Sequence, residues 1–317
     1  MTTITGMPAP AAVERWLRTL DGFGTAGVRS ISLAEGGVSN ITCRVVLEGA
    51  PMAAIALRVQ RDRGIFEPYD VLREGELLRR LADSTLPVPA FIAAEPDPSF
   101  LGAPFIAMEW IDAPHMGIAP DADFGAFTRA VVDVHSLDWR GHGLDFLGVP
   151  ASPREGVRRE LAAIAARMPS FACDSEPLLG RALDVLDRAV PAEGRLALCQ
   201  GDINVFNYLF RGGEVVGIVD WEQARISDPR SDVGQLVALS HLKGAPFGPA
   251  GRAPFVQAYC AASGVQLANM EYFRAHWLFE LGVIYHGWMA FNDSEPWYSW
   301  SHLSALLEAA LDELSAR

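Results

Sequence analysis

The sequence predicts an α+β protein of two lobes: a small N-terminal lobe with an antiparallel sheet and one helix, and a larger, mostly helical C-terminal lobe. Three observations carry this. Segments of strand character, separated by Gly- and Pro-bearing turns, run from about residue 28 to 110 and are interrupted by one amphipathic stretch at 69–82. Beyond Pro114 the apolar spacing turns helical over most of the chain. The length of 317 residues, half of them hydrophobic and 21% charged, is compatible with one large domain or two lobes and is ample to bury a core. The boundary is expected at the segment Ile106–Asp112, giving lobes 1–111 and 112–317.

In the first lobe, residues 11–20 follow Pro8 and Pro10 and place Val13, Trp16, Leu17 and Leu20 at helical spacing. Strands are expected at 28–33 and 41–47, flanking Glu35-Gly36-Gly37-Val38-Ser39-Asn40. Such a turn offers backbone N–H groups to phosphates where a side chain would collide, though a two-glycine hairpin is as readily an ordinary tight turn. A third strand, 53–59, carries Arg58. In the helix at 69–82, a turn of about 100° per residue sets Glu74 within about 40° of Leu78 and Leu81, so Glu74 faces inward and Glu76 outward. A buried carboxylate needs a partner, and Arg58 on the preceding strand is the obvious candidate. The other reading is a surface helix whose Glu74 pairs beside Arg73. Strands at 90–94 and 105–110 complete the lobe, and Met108, Glu109, Trp110 and Ile111 form either a hinge or a plain edge strand.

The second lobe reads as helices at 121–138, 154–168 and 177–190, then 230–242, 252–263, 270–291 and 299–315. His135 falls at a helix end, where an imidazole satisfies carbonyls more often than it serves as a base. Aromatic residues crowd 270–300 and are mostly core. Between the two helical groups lies the stretch on which the chemistry depends: Gln200-Gly201-Asp202, Asn207, the apolar run Val215–Val219 ending in Asp220, and Asp228-Pro229-x2-Asp232. An acid, an amide five residues on and a second acid at a strand end form the D-x-x-x-x-N plus Asp arrangement of kinase-type phosphoryl transfer. One carboxylate orients or deprotonates an attacking hydroxyl, while an amide oxygen and the other carboxylate suit hard cations. A hairpin with ordinary Asp and Asn turn residues is the alternative.

These residues, with Ile218-Val219-Asp220-Trp221-Glu222, resemble the aminoglycoside phosphotransferase family of kinase-like enzymes. From about Leu33 to Trp288 the chain is most similar to the branch associated with acyl-CoA dehydrogenases. The resemblance implies a bilobal protein-kinase-like fold and an ATP- and Mg2+-dependent transfer to a small-molecule hydroxyl. It assigns Asp202 as the base, Asn207 and Asp220 as Mg2+ ligands, and Arg58 with Glu74 as the phosphate-placing pair. The turn Gly36, Gly37, Ser39, Asn40 would fold over the phosphates, and the backbone of Met108, Glu109, Trp110 and Ile111 would bind adenine. Asp232 would brace the catalytic loop. Arg58 stands where aminoglycoside kinases have Lys, as in the dehydrogenase-associated branch, and a guanidinium clamps phosphate oxygens equally well. Gln200 replaces the family's His, and Asn204 stands where relatives carry Arg or His, removing a cation beside the transferring phosphate. A non-catalytic nucleotide-binding module is therefore the rival reading. A protein kinase is disfavoured because only eight residues separate Asp220 from Pro229, too few for a peptide-binding segment. A hydroxyacyl-type metabolite and an aminoglycoside-like compound are the two acceptor classes, the former preferred.

Composition narrows the partners. A net charge of -13 argues against nucleic acid. Cys43, Cys173, Cys199 and Cys260 form no close pair, which fits a reducing compartment without disulfides or zinc. The N-terminus lacks a charged leader and an apolar core, and no stretch reaches the ~18 apolar residues of a membrane span. A cytoplasmic protein with no membrane partner is expected.

Overall fold

The computed structural model describes residues 7–34, 39–242 and 248–316. The chain divides into two compact units, Met1–Asp112 and Ala113–Arg317.

The first unit opens with α1 (Pro10–Leu17), started by a proline whose missing N–H costs nothing in a first turn. A five-stranded antiparallel sheet follows in the order β1-β2-β3-β5-β4, from β1 (Gly27–Leu33), β2 (Ile41–Glu48), β3 (Ala54–Val59), β4 (Phe91–Glu95) and β5 (Phe105–Glu109). Along β2 the residues Ile41, Cys43, Val45 and Leu47 are buried in strict alternation, the period-2 pattern of a strand with one face on a core. α1 covers that face, and Trp16 meets Phe105 edge-on at 4.8 Å between ring centroids. α2 (Val71–Leu81) is capped by Asp70, whose side chain accepts from the Arg73 amide at 3.0 Å. Gly75 lets α2 lie close on the sheet, since a Cβ there would sit 2.7 Å from Ile106 Cγ2.

The second unit is mostly helical: α3 (Phe124–Ser136), α4 (Pro153–Arg167), α5 (Pro177–Ala189), α6 (Arg230–Leu239), α7 (Gly248–Ser263), α8 (Met270–Phe291) and α9 (Trp300–Ser315). Its core joins Leu161, Leu179, Leu186, Trp277, Phe279 and Leu307, and the aromatic side chains Tyr272, Phe273, Trp277, Phe279 and Tyr285 belong to it. α6 is buried along nearly its whole length and approaches α8 so closely that a Cβ at Gly234 would lie 2.7 Å from Phe273. Two short antiparallel ribbons frame the loops between α5 and α6. One pairs β6 (Ala197–Cys199) with β9 (Arg225–Ser227), the other β7 (Tyr208–Arg211) with β8 (Glu214–Ile218).

The α+β class, with its antiparallel N-terminal sheet and helical C-terminal part, is the one the sequence predicts. Differences are local. α3 begins at Phe124 rather than 121 because the Asp123 side chain caps it, accepting from the Ala126 amide at 2.6 Å. The three-residue β6 and β9 were not expected from the sequence; they pair across 26 residues of chain, from Cys199 to Arg225. Among the described residues no helix is long and apolar enough to cross a membrane.

Candidate active site

The stretch 199–232 is shaped by its ribbons. β6 delivers the chain to Gln200, a loop follows through Asp202, a short 3-10 turn spans Val205–Asn207, and β7 and β8 return it to Asp220. Gly201 has φ 87°, where a side chain is strained, and a Cβ there would collide with the Gln223 carbonyl and the Arg225 guanidinium. The glycine of this loop is thus fixed by the segment that follows Asp220.

Asp202 is half-buried, and three side-chain amides converge on its carboxylate. Asn204 Nδ2 and Asn207 Nδ2 donate to Oδ2 at 2.8 and 3.0 Å, and Gln235 Nε2, from α6, donates to Oδ1. Burial and then the nearby negative charge of Asp220 push this carboxyl up to about 6, against the downward pull of the three donors. Asn207 also donates Nδ2 to the Asp202 carbonyl at 2.9 Å, and among the described residues no hydrogen bond is donated to its Oδ1. Asp220 takes a left-handed backbone at φ 62°, a conformation Asp tolerates better than most residues and one concentrated at functional sites. An amide oxygen and a carboxylate placed this way suit a hard, oxygen-seeking cation such as Mg2+.

Behind the loop, Asp232 is fully buried and accepts from the backbone amides of Gln200 (2.8 Å) and Gly201 (3.2 Å). His135 Nε2 lies 3.2 Å from the same carboxylate and its Nδ1 lies 2.9 Å from the Tyr259 hydroxyl, so this histidine is part of the brace. With Cys199 these groups have metal-ligand proximity, but the Asp232 oxygens already face two amides and an imidazole, and burial pushes the Cys199 thiol well up. The cluster is a packed polar knot. Gln200 is a scaffold for the loop: its Nε2 donates to the Val219 carbonyl and its Oε1 accepts from the Tyr208 hydroxyl, both at 2.8 Å. Arg225 and Glu160 form a buried pair at 2.9 Å, and Ser227 and Ser231 also donate to Glu160, tying the segment after Asp220 to α4.

In the first unit, Arg58 Nε and Glu74 Oε2 meet at 3.0 Å with side chains 5% and 1% exposed. Glu76 points the other way and is shared between Arg79 and Arg80 near the surface. Ser39 accepts from Arg58 Nη2 at 3.4 Å, and Asn40 Oδ1 accepts from the Arg61 amide at 3.2 Å, so both anchor the start of β2. Gly36 and Gly37 lie outside the described residues. Met108 and Glu109 are still in the sheet, where the Glu109 amide donates to the Ala90 carbonyl at 2.8 Å. Trp110 and Ile111 are past the ladder, and the Arg44 guanidinium stacks over the Trp110 ring at 5.4 Å.

Two contributors escape sequence reading: Gln235, and the Arg225–Glu160 pair. A glutamine three residues after Asp232, set among Val233, Gly234, Leu236, Val237 and Ala238, is the signal for the former; the latter joins residues 65 apart and leaves none.

The fold is kinase-like. A candidate aminoglycoside phosphotransferase from Ralstonia eutropha superposes with a TM-score of 0.73 at 19% identity, covering 97% of this chain and 98% of that one. Spectinomycin phosphotransferase, solved with ADP and spectinomycin, gives 0.59 at 15% identity over 98% and 99% of the two chains. Residues 30–276 match the phosphotransferase enzyme family, and the chain belongs to it. Acyl-CoA dehydrogenase family member 10 of Mus musculus is 26% identical over 235 residues, 70% of this chain and 21% of that protein. "Probable acyl-CoA dehydrogenase IBR3" of Arabidopsis thaliana is 27% identical over 264 residues, 71% of this chain and 32% of that protein. The chain thus spans a fifth to a third of the length of these curated relatives.

Proposed function

We propose that this chain is an ATP- and Mg2+-dependent phosphotransferase that moves the γ-phosphate to a hydroxyl of a small molecule. The observation that carries the reading is the Asp202 carboxylate, held by amides from Asn204, Asn207 and Gln235 and raised by burial and then by the charge of Asp220. In this reading Asp202 accepts or orients the proton of the acceptor hydroxyl. Asn207 through Oδ1 and Asp220 through its carboxylate hold Mg2+, which when bound offsets the charge of the phosphates. Arg58, kept in place by Glu74, contacts phosphate oxygens, and the backbone at Trp110–Ile111 is the adenine-binding segment. Rate enhancement comes from positioning and charge stabilisation rather than from covalent chemistry on the protein.

The acceptor preferred is a hydroxyacyl-type metabolite. Support comes from the two curated relatives, whose names are those of acyl-CoA dehydrogenases. An aminoglycoside-like compound is the second class, supported by structural neighbours such as the spectinomycin enzyme. A reducing cytoplasmic setting goes with this reading, since Cys43, Cys173, Cys199 and Cys260 are all free thiols. The test is incubation with ATP, Mg2+ and a panel of hydroxyacyl-CoA, aminoglycoside and amino-alcohol acceptors, read by mass gain of one phosphate. Asp202→Ala should abolish that product and keep nucleotide binding; undiminished turnover removes Asp202 from the base role. Nucleotide binding with no product on any acceptor describes a non-catalytic module instead.

A further inference from the structure

α6 presents two buried polar side chains one turn apart, Asp232 and Gln235, 0% and 5% exposed. Asp232 takes the amides of Gln200 and Gly201. One turn on, Gln235 Oε1 accepts from the Ile203 amide at 2.7 Å while its Nε2 donates to Asp202 Oδ1. Four consecutive loop residues are therefore held by one helix, three through their backbone and Asp202 through its side chain. We propose that Gln235 is a positioning residue that fixes the direction in which the Asp202 carboxylate presents itself to the acceptor hydroxyl. The inference rests on the phosphotransferase reading above and deepens it.

The orientation of the Gln235 amide is determined by its neighbours. Turning it over would set its NH2 against the Ile203 N–H and its oxygen against a carboxylate oxygen, losing two hydrogen bonds and creating two repulsions. The donor therefore faces Asp202. Asn204 is fixed in the same way, because its Oδ1 accepts from the Phe206 amide at 2.8 Å while its Nδ2 donates to Asp202. With Oδ2 held by Asn204 and Asn207 and Oδ1 by Gln235, the carboxylate cannot swing about its terminal torsion without breaking three contacts. The donors leave a lone pair on Oδ1 for the acceptor's proton. All three are neutral amides, so they direct the carboxylate without cancelling the negative charge that a proton acceptor needs. Asn204, read from the sequence as a lost cation, becomes one member of this set.

A purely structural role is the competing explanation, since a buried glutamine must be paired in any event. Two substitutions separate them. Gln235→Met keeps an unbranched side chain of similar volume and removes both hydrogen bonds. Gln235→Glu keeps the acceptor for Ile203 and, when ionised, sets a second carboxylate where the donor to Asp202 stood. The assay uses Mg2+-ATP with each panel acceptor, and with water alone, reading ADP and phosphorylated product. Both variants should lower kcat by about 10- to 100-fold, the range that a small misplacement of a reacting group produces, with KM for ATP within about twofold of wild type. Gln235→Glu should fall at least as far as Gln235→Met, and a crystal structure of either should show Asp202 in a changed rotamer. Wild-type kcat in Gln235→Glu would mean that only the Ile203 brace matters, and overturns the proposal. Should Gln235→Met fail to fold, Gln235→Glu decides alone. No ADP or phosphorylated product from the wild type removes the phosphotransferase reading and Gln235 with it, whereas normal wild-type turnover with an unaffected Gln235→Glu removes Gln235 alone.

Discussion

Replacing Glu74 by alanine removes the carboxylate that lies 3.0 Å from Arg58 Nε, in an interior where the Arg58 side chain is 5% exposed. With Nε and Oε2 3.0 Å apart, the attraction at an effective dielectric of about 20 amounts to about 5–6 kcal/mol. Desolvation of several kcal/mol for each ion nearly cancels this, so the intact pair adds little net stability. Removing one partner restores no solvent to the other, and the expected cost of Glu74→Ala is about 3–5 kcal/mol. That corresponds to a fall in Tm on the order of 10 °C. The double variant Arg58→Met, Glu74→Leu removes both charges and keeps most of the volume, so it should return to within about 1–2 kcal/mol of wild type. Urea denaturation followed by tryptophan fluorescence, run on wild type, both single variants and the double, gives the cycle directly. A Glu74→Ala cost below about 1 kcal/mol, or a double variant as unstable as the single, would refute this account of the pair. If the proposed role of Arg58 holds, the stable double variant loses the stabilisation that Mg2+-ATP gives wild type.

Asp220→Ala should abolish the Mg2+-dependent part of nucleotide stabilisation, seen by differential scanning fluorimetry as equal Tm values for ATP with and without Mg2+. A wild type that shows no shift with Mg2+-ATP would count against nucleotide binding altogether. His276 is fully buried, among the described residues neither ring nitrogen has a hydrogen-bond partner, and its pKa lies below 6.5, chiefly through burial; Glu160 and Glu280 pull it up and Arg225 pushes it down. Its folded-state pKa being depressed, the neutral ring's contribution is complete above pH 6.5 and declines as the pH falls from there towards the folded-state value, because the unfolded chain takes up the proton first. The slope should approach about 1.4 kcal/mol per pH unit in that window, and His276→Phe should flatten it. An unchanged slope in the variant would assign the acid sensitivity elsewhere.

What the sequence made legible follows the range of the interactions involved. Glu74 could be placed inward because a helix of 3.6 residues per turn fixes its face relative to Leu78 and Leu81, a local relation. Asp202, Asn207 and Asp220 stood out because their spacing within one loop and hairpin is itself local. Gln200 could be read as a scaffold for the loop backbone for the same reason, and its bonds to Val219 and Tyr208 stay within that hairpin. Gln235 was hidden because a helix pattern reports which side is buried, not which loop atom a polar side chain on that side will meet. The β6–β9 ribbon and the Arg225–Glu160 pair were hidden because strands of three residues carry no measurable period and the ion pair joins distant stretches. That Met108 and Glu109 lie in the sheet while Trp110 and Ile111 lie past it was hidden for a related reason. Only the ladder, with Glu109 bonded to Ala90, shows which amides are already committed.

The burial of α6 has a consequence for how the molecule wears out. The amides of Gln200, Gly201 and Ile203 are all donated to side chains of this one helix, which packs on α8 through the space left by Gly234. Their hydrogen-exchange protection should therefore rise and fall with that of α6 as a single opening unit, rather than with the surface loops around them. Partial unfolding that released α6 would free these three amides and the Asp202 side chain together.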